Sequence, residues 1–231
     1  MKSEIRMLAL ELSPLRDQTL FQFYYDIQPR WRQEKIDTLR RLPDKIQSLG
    51  AGILLQKALP GADLTQIRFG ENGKPYLPGY EMQFNLSHAG DWALCAVGNA
   101  ALGCDIEQMR SYKMSMAHRF FCAEETRMLE DAEGEIQQDL FFRLWTLKES
   151  FLKAVGEGLS KPLNSFCISF ENSDPVLTGL ENEWLLREYK AAAGYRCALC
   201  AAAGSVPPKE VEIVSCILLP NSELRTPNSK A

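Results

Sequence analysis

Two observations in the sequence predict an α+β protein. Short runs of alternating apolar and polar residues, or of β-branched and small residues between turn signals, mark strands at 81–88, 92–97 and 101–107. Segments of helical period flank them, the clearest at 141–158. A chain of 231 residues, 45% hydrophobic and 24% charged, is long enough to bury a sizeable core. No apolar run reaches membrane-span length, and Lys2, Glu4 and Arg6 break up the N-terminus, so neither a span nor a signal peptide is expected. The seven cysteines are scattered and form no zinc pattern, which reads as buried thiols in a reducing cytoplasm. A net charge of −4 argues against a nucleic-acid binder.

In chain order, Met7 to Leu12 is an opening strand bounded by Ser13-Pro14, and Leu20 to Trp31 is an aromatic-rich helix interrupted near Pro29. Arg30, Arg32, Lys35, Arg40, Arg41 and Lys45 then outnumber Glu34, Asp37 and Asp44, a run that by itself reads as a solvated helix face. Ser48 to Leu59 is a helix closed by Pro60-Gly61. Along 81–88, Met82, Phe84 and Leu86 share one face and Gln83, Asn85 and Ser87 the other, with His88 at the strand end, where a lone histidine is ordinarily structural. Gly98-Asn99 is a hairpin turn into 101–107. Met109, Met114 and Met116 suit either core filling or an adaptable docking surface. Arg119 to Leu129 is a helix and 131–139 an acidic exposed connection. Segments 166–170, 184–190, 195–201 and 211–218 read as strands of a second sheet, and residues after Pro220 as a loose tail.

The 141–158 helix, with Gly156 and Gly158 as stop signals, carries a conflict. On a wheel set at Leu140, Lys148 falls at about 80°, inside an apolar arc formed by Leu144, Leu147, Phe151 and Val155. It either snorkels or meets an anion. Glu149 stands in a row with Trp145 and Lys153. Upstream, Asp105 and Glu107 point to one face of a strand, roughly 7 Å apart, and repel unless a cation lies between them. Oxygen ligands select a hard ion such as Mg²⁺ or Mn²⁺. With Glu149 as a third carboxylate and Lys148 and Lys153 as phosphate partners, the pattern describes a metal–diphosphate site.

Four ordered segments, Phe84-Asn85-Leu86-Ser87-His88, Gly103-Cys104-Asp105-Ile106-Glu107, Arg119-Phe120-Phe121 and Leu144 to Lys153, resemble the 4′-phosphopantetheinyl transferases, in particular the larger, surfactin-synthetase-activating (Sfp-type) group, over about residues 20–216. The resemblance implies two similar α+β subdomains, 1–99 and 100–219, packed as a pseudo-dimer with the active site in the cleft between them, and a tail at 220–231. It implies transfer of 4′-phosphopantetheine from coenzyme A to a serine of an apo acyl or peptidyl carrier protein, releasing 3′,5′-ADP, as holo-acyl-carrier-protein synthases do. It further implies Mg²⁺ (or Mn²⁺) dependence, and a cytoplasmic monomer that engages neither membrane nor nucleic acid. Metal ligation falls to Asp105, Glu107 and Glu149. Glu149 is the candidate base, and Lys153 and His88 stabilise phosphate charge. Arg32, Lys35 and Ser48 fall to the 3′-phosphate end of coenzyme A, although Gln47 stands where the family would have arginine. Lys74 of the Gly73-Lys74-Pro75 turn, Ser87, His88, Lys148 and Lys153 fall to coenzyme A as well. Two other classes stay open: a Mg²⁺-dependent nucleotide or coenzyme A diphosphate hydrolase, and a non-catalytic binder of coenzyme A or a carrier.

Overall fold

A computed structural model describes residues 4–157, 161–179 and 184–216. In chain order it contains β1 (Ile5–Glu11), α1 (Gln18–Asp26), α2 (Arg30–Thr38), α3 (Leu42–Ala58), β2 (Arg68–Phe69), β3 (Pro75–Tyr76), β4 (Gln83–Ala89), β5 (Trp92–Gly98) and β6 (Leu102–Gln108). There follow α4 (Met114–Phe120), α5 (Ala123–Glu130), α6 (Gly134–Val155), β7 (Cys167–Glu171), β8 (Asp174–Thr178), β9 (Trp184–Tyr189), β10 (Tyr195–Ala202) and β11 (Glu212–Val214). One sheet has the order β11-β1-β5-β4, another β6-β10-β9, and two short hairpins, β2–β3 and β7–β8, complete the set. The fold is α+β, as the sequence predicts.

Period-two geometry explains why the central strands are apolar on both faces. Leu8 and Leu10 of β1, with Cys95 and Val97 of β5, pack under α3. The alternate residues Met7, Ala9, Leu94 and Ala96 turn the other way and meet Cys104, Ile106, Cys197 and Leu199 of the second sheet. On that sheet's outer face Ala198 and Cys200 pack under Leu144, Leu147 and Phe151 of α6. Two helix-on-sheet layers therefore stack back to back. Of the terminal features named above, Gly158 and the tail 220–231 lie outside the described residues.

Several expectations change. α6 begins at Gly134 rather than near 141, so the acidic connection supplies its first turns. There Gln137 donates to Leu129 O near the end of α5 and to Ala132 O just beyond it, and Asp139 pairs with Arg196. The Arg119–Leu129 helix is two helices broken at Phe121-Cys122. Instead of joining the second sheet, Glu212–Val214 runs parallel to β1, pairing Leu8 with Glu212. β8 escapes the sequence pattern because its turn, Asn172-Ser173, has both residues at positive φ (51° and 75°) without a glycine to announce it. Cys122 and Cys167, read as thiols, are joined by a disulfide with Cα atoms 5.8 Å apart. They are 45 residues apart in sequence, and only the packing of α5 against β7 brings them together. No helix among the described residues is long and apolar enough to cross a membrane.

Candidate active site

β6 and α6 lie in direct contact. A Cβ at Gly103 would come within 2.3 Å of Ser150 O and Ala154 N, so only glycine lets the helix backbone rest on the strand there. The face of β6 that carries Gly103 also carries Asp105 and Glu107, and it meets the α6 row of Glu149 and Lys153. Asp105 is buried, 3% exposed. Its Oδ1 accepts from Lys153 Nζ at 2.5 Å and from Ser87 Oγ at 2.8 Å, while Oδ2 is buried with no partner. Burial alone would lower the Lys153 ammonium, but the charge and hydrogen bond of Asp105 outweigh it and raise it. Burial, then the charge of Asp105, pushes Glu107 up to about 7 and raises Glu149 as well. An orphaned carboxylate oxygen beside two carboxyls that resist ionisation, all oxygen donors, fits a hard divalent cation.

A cleft opens beside this cluster. One cavity of about 290 Å³ is lined by Lys74, Asn85, Glu149, Leu152 and Lys153. It shares Gly73, Pro75 and Leu86 with a second, of about 390 Å³, whose walls include Trp31, Arg32, Lys35, Ser48 and His88. Arg32 is 4% exposed, and its Nε has no partner. Among the described residues no carboxylate forms an ion pair with it. Burial lowers its guanidinium to about 10. Burial and then the charge of Arg32 lower Lys35. Desolvation, followed by Lys153, Lys35 and Arg32, lowers His88, so the imidazole is neutral at pH 7 until an anion arrives. The buried Ser48 hydroxyl is also unpartnered. Basic groups thus outnumber acidic ones on this wall, where Asp44 is the one carboxylate.

The structure thus places Glu149 and Lys153 on one cleft with Arg32, Lys35, Ser48 and His88, while Asp105 lies buried behind Lys153 and Glu107 lines a neighbouring groove, both within electrostatic reach of Glu149. Three residues differ from expectation. Lys148 does not face the cleft. It is fully buried, its Nζ lies 2.9 Å from Glu125 Oε1, and it donates to Leu163 O and Phe166 O. Glu125 in turn accepts from Cys122 N and Ile168 N. Burial pushes Glu125 up and Lys148 down, each partly offset by the other's charge. Ser87 is buried in the Asp105–Lys153 cluster, where it also accepts from Ile106 N at 3.4 Å, and it offers no free hydroxyl to a cofactor. Lys74 lines the cleft with its stem, but its ammonium binds backbone carbonyls.

Sequence reasoning missed Glu125 and Asn85. The first had a signal: Phe121, Glu125 and Leu129 stand at i, i+4 and i+8, a carboxylate in an apolar row that matches a lysine in an apolar arc. Asn85 Oδ1 accepts from Cys104 N at 2.9 Å, and with Ser87 it joins β4 to β6 by side chains where no ladder pairs them. On the far side of Glu107 a groove of about 500 Å³ is lined by Arg110, Tyr112, Met116, Phe141 and Trp145.

Residues 101–200 match the model of the 4′-phosphopantetheinyl transferase superfamily. A "4′-phosphopantetheinyl transferase" of Bacillus subtilis is 37% identical over 180 residues, 74% of this chain and 80% of that one. The chain belongs to this superfamily. "4′-Phosphopantetheinyl transferase Sfp" of Bacillus subtilis (strain 168) is 32% identical over 211 residues, covering 87% of this chain and 93% of its own. "4′-Phosphopantetheinyl transferase psf-1" of Bacillus pumilus is 31% identical over 229 residues, 92% of this chain and 96% of its own. The segment matched by the superfamily model contains Asp105, Glu107, Glu149 and Lys153, whereas Arg32, Lys35, Ser48 and His88 precede it. The superfamily-model match, unlike the longer matches to the relatives, therefore does not extend over the cation-lined cavity.

Proposed function

We propose that this protein transfers the 4′-phosphopantetheine of coenzyme A to a serine hydroxyl of an apo acyl or peptidyl carrier protein and releases 3′,5′-ADP, a reaction of the holo-acyl-carrier-protein synthase type. The observation that carries the reading is a single cleft with the buried, unpaired Arg32 beside Lys35 at one end and Glu149 and Lys153 at the other, where Asp105 and Glu107 act on them electrostatically from β6. Coenzyme A has a matching layout, with a 3′-phosphate at one end and a reacting diphosphate further along.

Arg32, Lys35 and Ser48 hold the 3′-phosphate, and His88 and Lys153 contact the diphosphate. Asp105, Glu107 and Glu149 hold Mg²⁺ or Mn²⁺, which when bound neutralises charge developing on the leaving phosphate. Glu149, its carboxyl raised by burial and the charge of Asp105, is the more basic for it when ionised and accepts the serine proton directly or through one water. The hydroxyl oxygen then bonds to the phosphorus that bears the pantetheine, and the bond to the bridging oxygen of 3′,5′-ADP breaks. Lys153, held by Asp105, donates hydrogen bonds to the phosphates. The carrier approaches along the Tyr112–Trp145 groove beside Glu107. The chain divides functionally near Asn99 and acts as a monomer, since both ends of the cleft come from one copy.

Release of 3′,5′-ADP from coenzyme A, measured with and without an apo carrier, tests the reaction class. The transferase releases it only with the carrier, and equal release without one identifies a diphosphate hydrolase.

A further inference from the structure

The Gly73-Lys74-Pro75 turn was expected to present its lysine to coenzyme A, yet the ammonium faces protein. Lys74 Nζ lies 3.0 Å from Leu102 O, 2.6 Å from Lys153 O and 3.4 Å from Ala154 O. An ammonium has three protons, and three carbonyls take them. Leu102 opens β6, the strand of Asp105 and Glu107, and Lys153 and Ala154 close α6, the helix of Glu149 and Lys153.

The last carbonyls of a helix lack intrahelical partners and form the negative end of its dipole, where a cation is favoured. Here that cation comes from a turn about 80 residues away in sequence. The same turn supplies a second contact, Asn72 Nδ2 to Gly156 O at 2.9 Å. Gly156 takes the left-handed conformation that ends α6, φ 80°, and the Lys74 stem passes over it, 3.8 Å from where a Cβ would stand. Because Gly103 already brings helix and strand into backbone contact, the ammonium sits at the seam of the two elements.

We propose that Lys74 is a positioning residue. Its ammonium caps the C-terminal end of α6, pins it to the start of β6, and thereby sets the spacing between Asp105–Glu107 and Glu149–Lys153. The consequence for rate rests on the transferase reading, whereas the structural clamp does not. Coenzyme A then owes its hold to the Arg32 end of the cleft and little to the Lys74 charge.

The test compares wild type, Lys74→Met and Lys74→Arg by hydrogen exchange over residues 150–156 without ligand, by calorimetric affinity for coenzyme A, and by kcat at saturating coenzyme A and carrier. Lys74→Met keeps the stem and leaves the carbonyls unpaired. Exchange at 153–156 should quicken by about tenfold. kcat should fall by about tenfold or more while Kd for coenzyme A changes by less than about threefold. Lys74→Arg should recover most of both. Should Lys74→Met not fold, Lys74→Gln, which keeps two donors without the charge, carries the same comparison. Unchanged exchange overturns the clamp whatever reaction the protein catalyses. A large rise in Kd with kcat intact at saturation makes Lys74 a ligand and overturns it too. If wild type transfers nothing to any carrier, the transferase reading fails, and the exchange measurement still decides the clamp.

Discussion

Replacing Arg32 with methionine should make the ligand-free protein more stable and the coenzyme A complex weaker. Burial without a carboxylate partner brings the guanidinium down to about 10. Each tenfold in that equilibrium is about 1.4 kcal/mol, so holding the charge costs about 3 kcal/mol at neutral pH. The sign follows from a cation whose native value is depressed. The unfolded chain keeps its proton more readily, so the penalty is fully present at pH 7 and disappears only as pH rises past the native value. The guanidinium recovers part of the cost by stacking 4.4 Å from the Trp31 ring centroid, worth about 1 kcal/mol. Methionine keeps the apolar stem and the contact with Trp31, which leaves a net stabilisation of about 1–2 kcal/mol. The lost charge-assisted hydrogen bonds should weaken coenzyme A by about 1.5–3 kcal/mol, roughly tenfold to a hundredfold in Kd, and weaken 3′-dephospho-coenzyme A far less. Urea unfolding without ligand and calorimetric titration with both ligands give the two numbers. A variant that is less stable and binds both ligands as before would refute the anion-site reasoning.

Other perturbations probe separate links. Asp105→Asn should abolish transfer and also cost about 3–5 kcal/mol in urea unfolding, because it leaves the Lys153 ammonium without its anion. Intact stability would mean that the pair is not formed. Binding of coenzyme A without metal near pH 7 should take up a proton as phosphate recharges His88, seen by calorimetry in two buffers of different ionisation enthalpy, and His88→Gln should abolish the uptake. Buried Cys95, Cys197 and Cys200 hold their protons well above the ordinary thiol range, Cys197 up to about 12. The native state then binds more protons than the unfolded chain above about pH 9, so stability should fall as pH rises from about 8 to 10. A flat profile from pH 8 to 10 would contradict their burial.

Local patterns made much of this fold legible. Alternation placed β4, the Gly98-Asn99 turn separated β5 from β6, and the wheel placed Lys148 in the buried arc, because each depends only on local pattern. The partner of Lys148 was legible only in part, as a carboxylate in the Phe121–Leu129 apolar row. Glu125 lies on another helix, and the sequence offers a phosphate as readily as a carboxylate to a buried lysine. Ser87 failed for a related reason: a polar strand face reads as solvent- or ligand-facing, while here it is the buried seam with β6. β11 was misplaced because three apolar-flanked residues carry no information about which sheet edge will accept them. Arg32, Lys35 and Ser48 reach one wall because successive helices α2 and α3 pack side by side, a tertiary fact that composition alone reads as a solvated run.

The central claim is transfer of an intact phosphopantetheine, and the intact mass of an apo carrier tests it most directly. After incubation with wild-type protein, coenzyme A and Mg²⁺, the carrier should gain one phosphopantetheine on its serine. It should gain none in the presence of a chelator, and only slowly with Glu149→Gln even when Mn²⁺ is saturating, a deficit of about 10²–10⁴ in rate. Carriers of both acyl and peptidyl type that stay unmodified while coenzyme A is consumed would contradict the account.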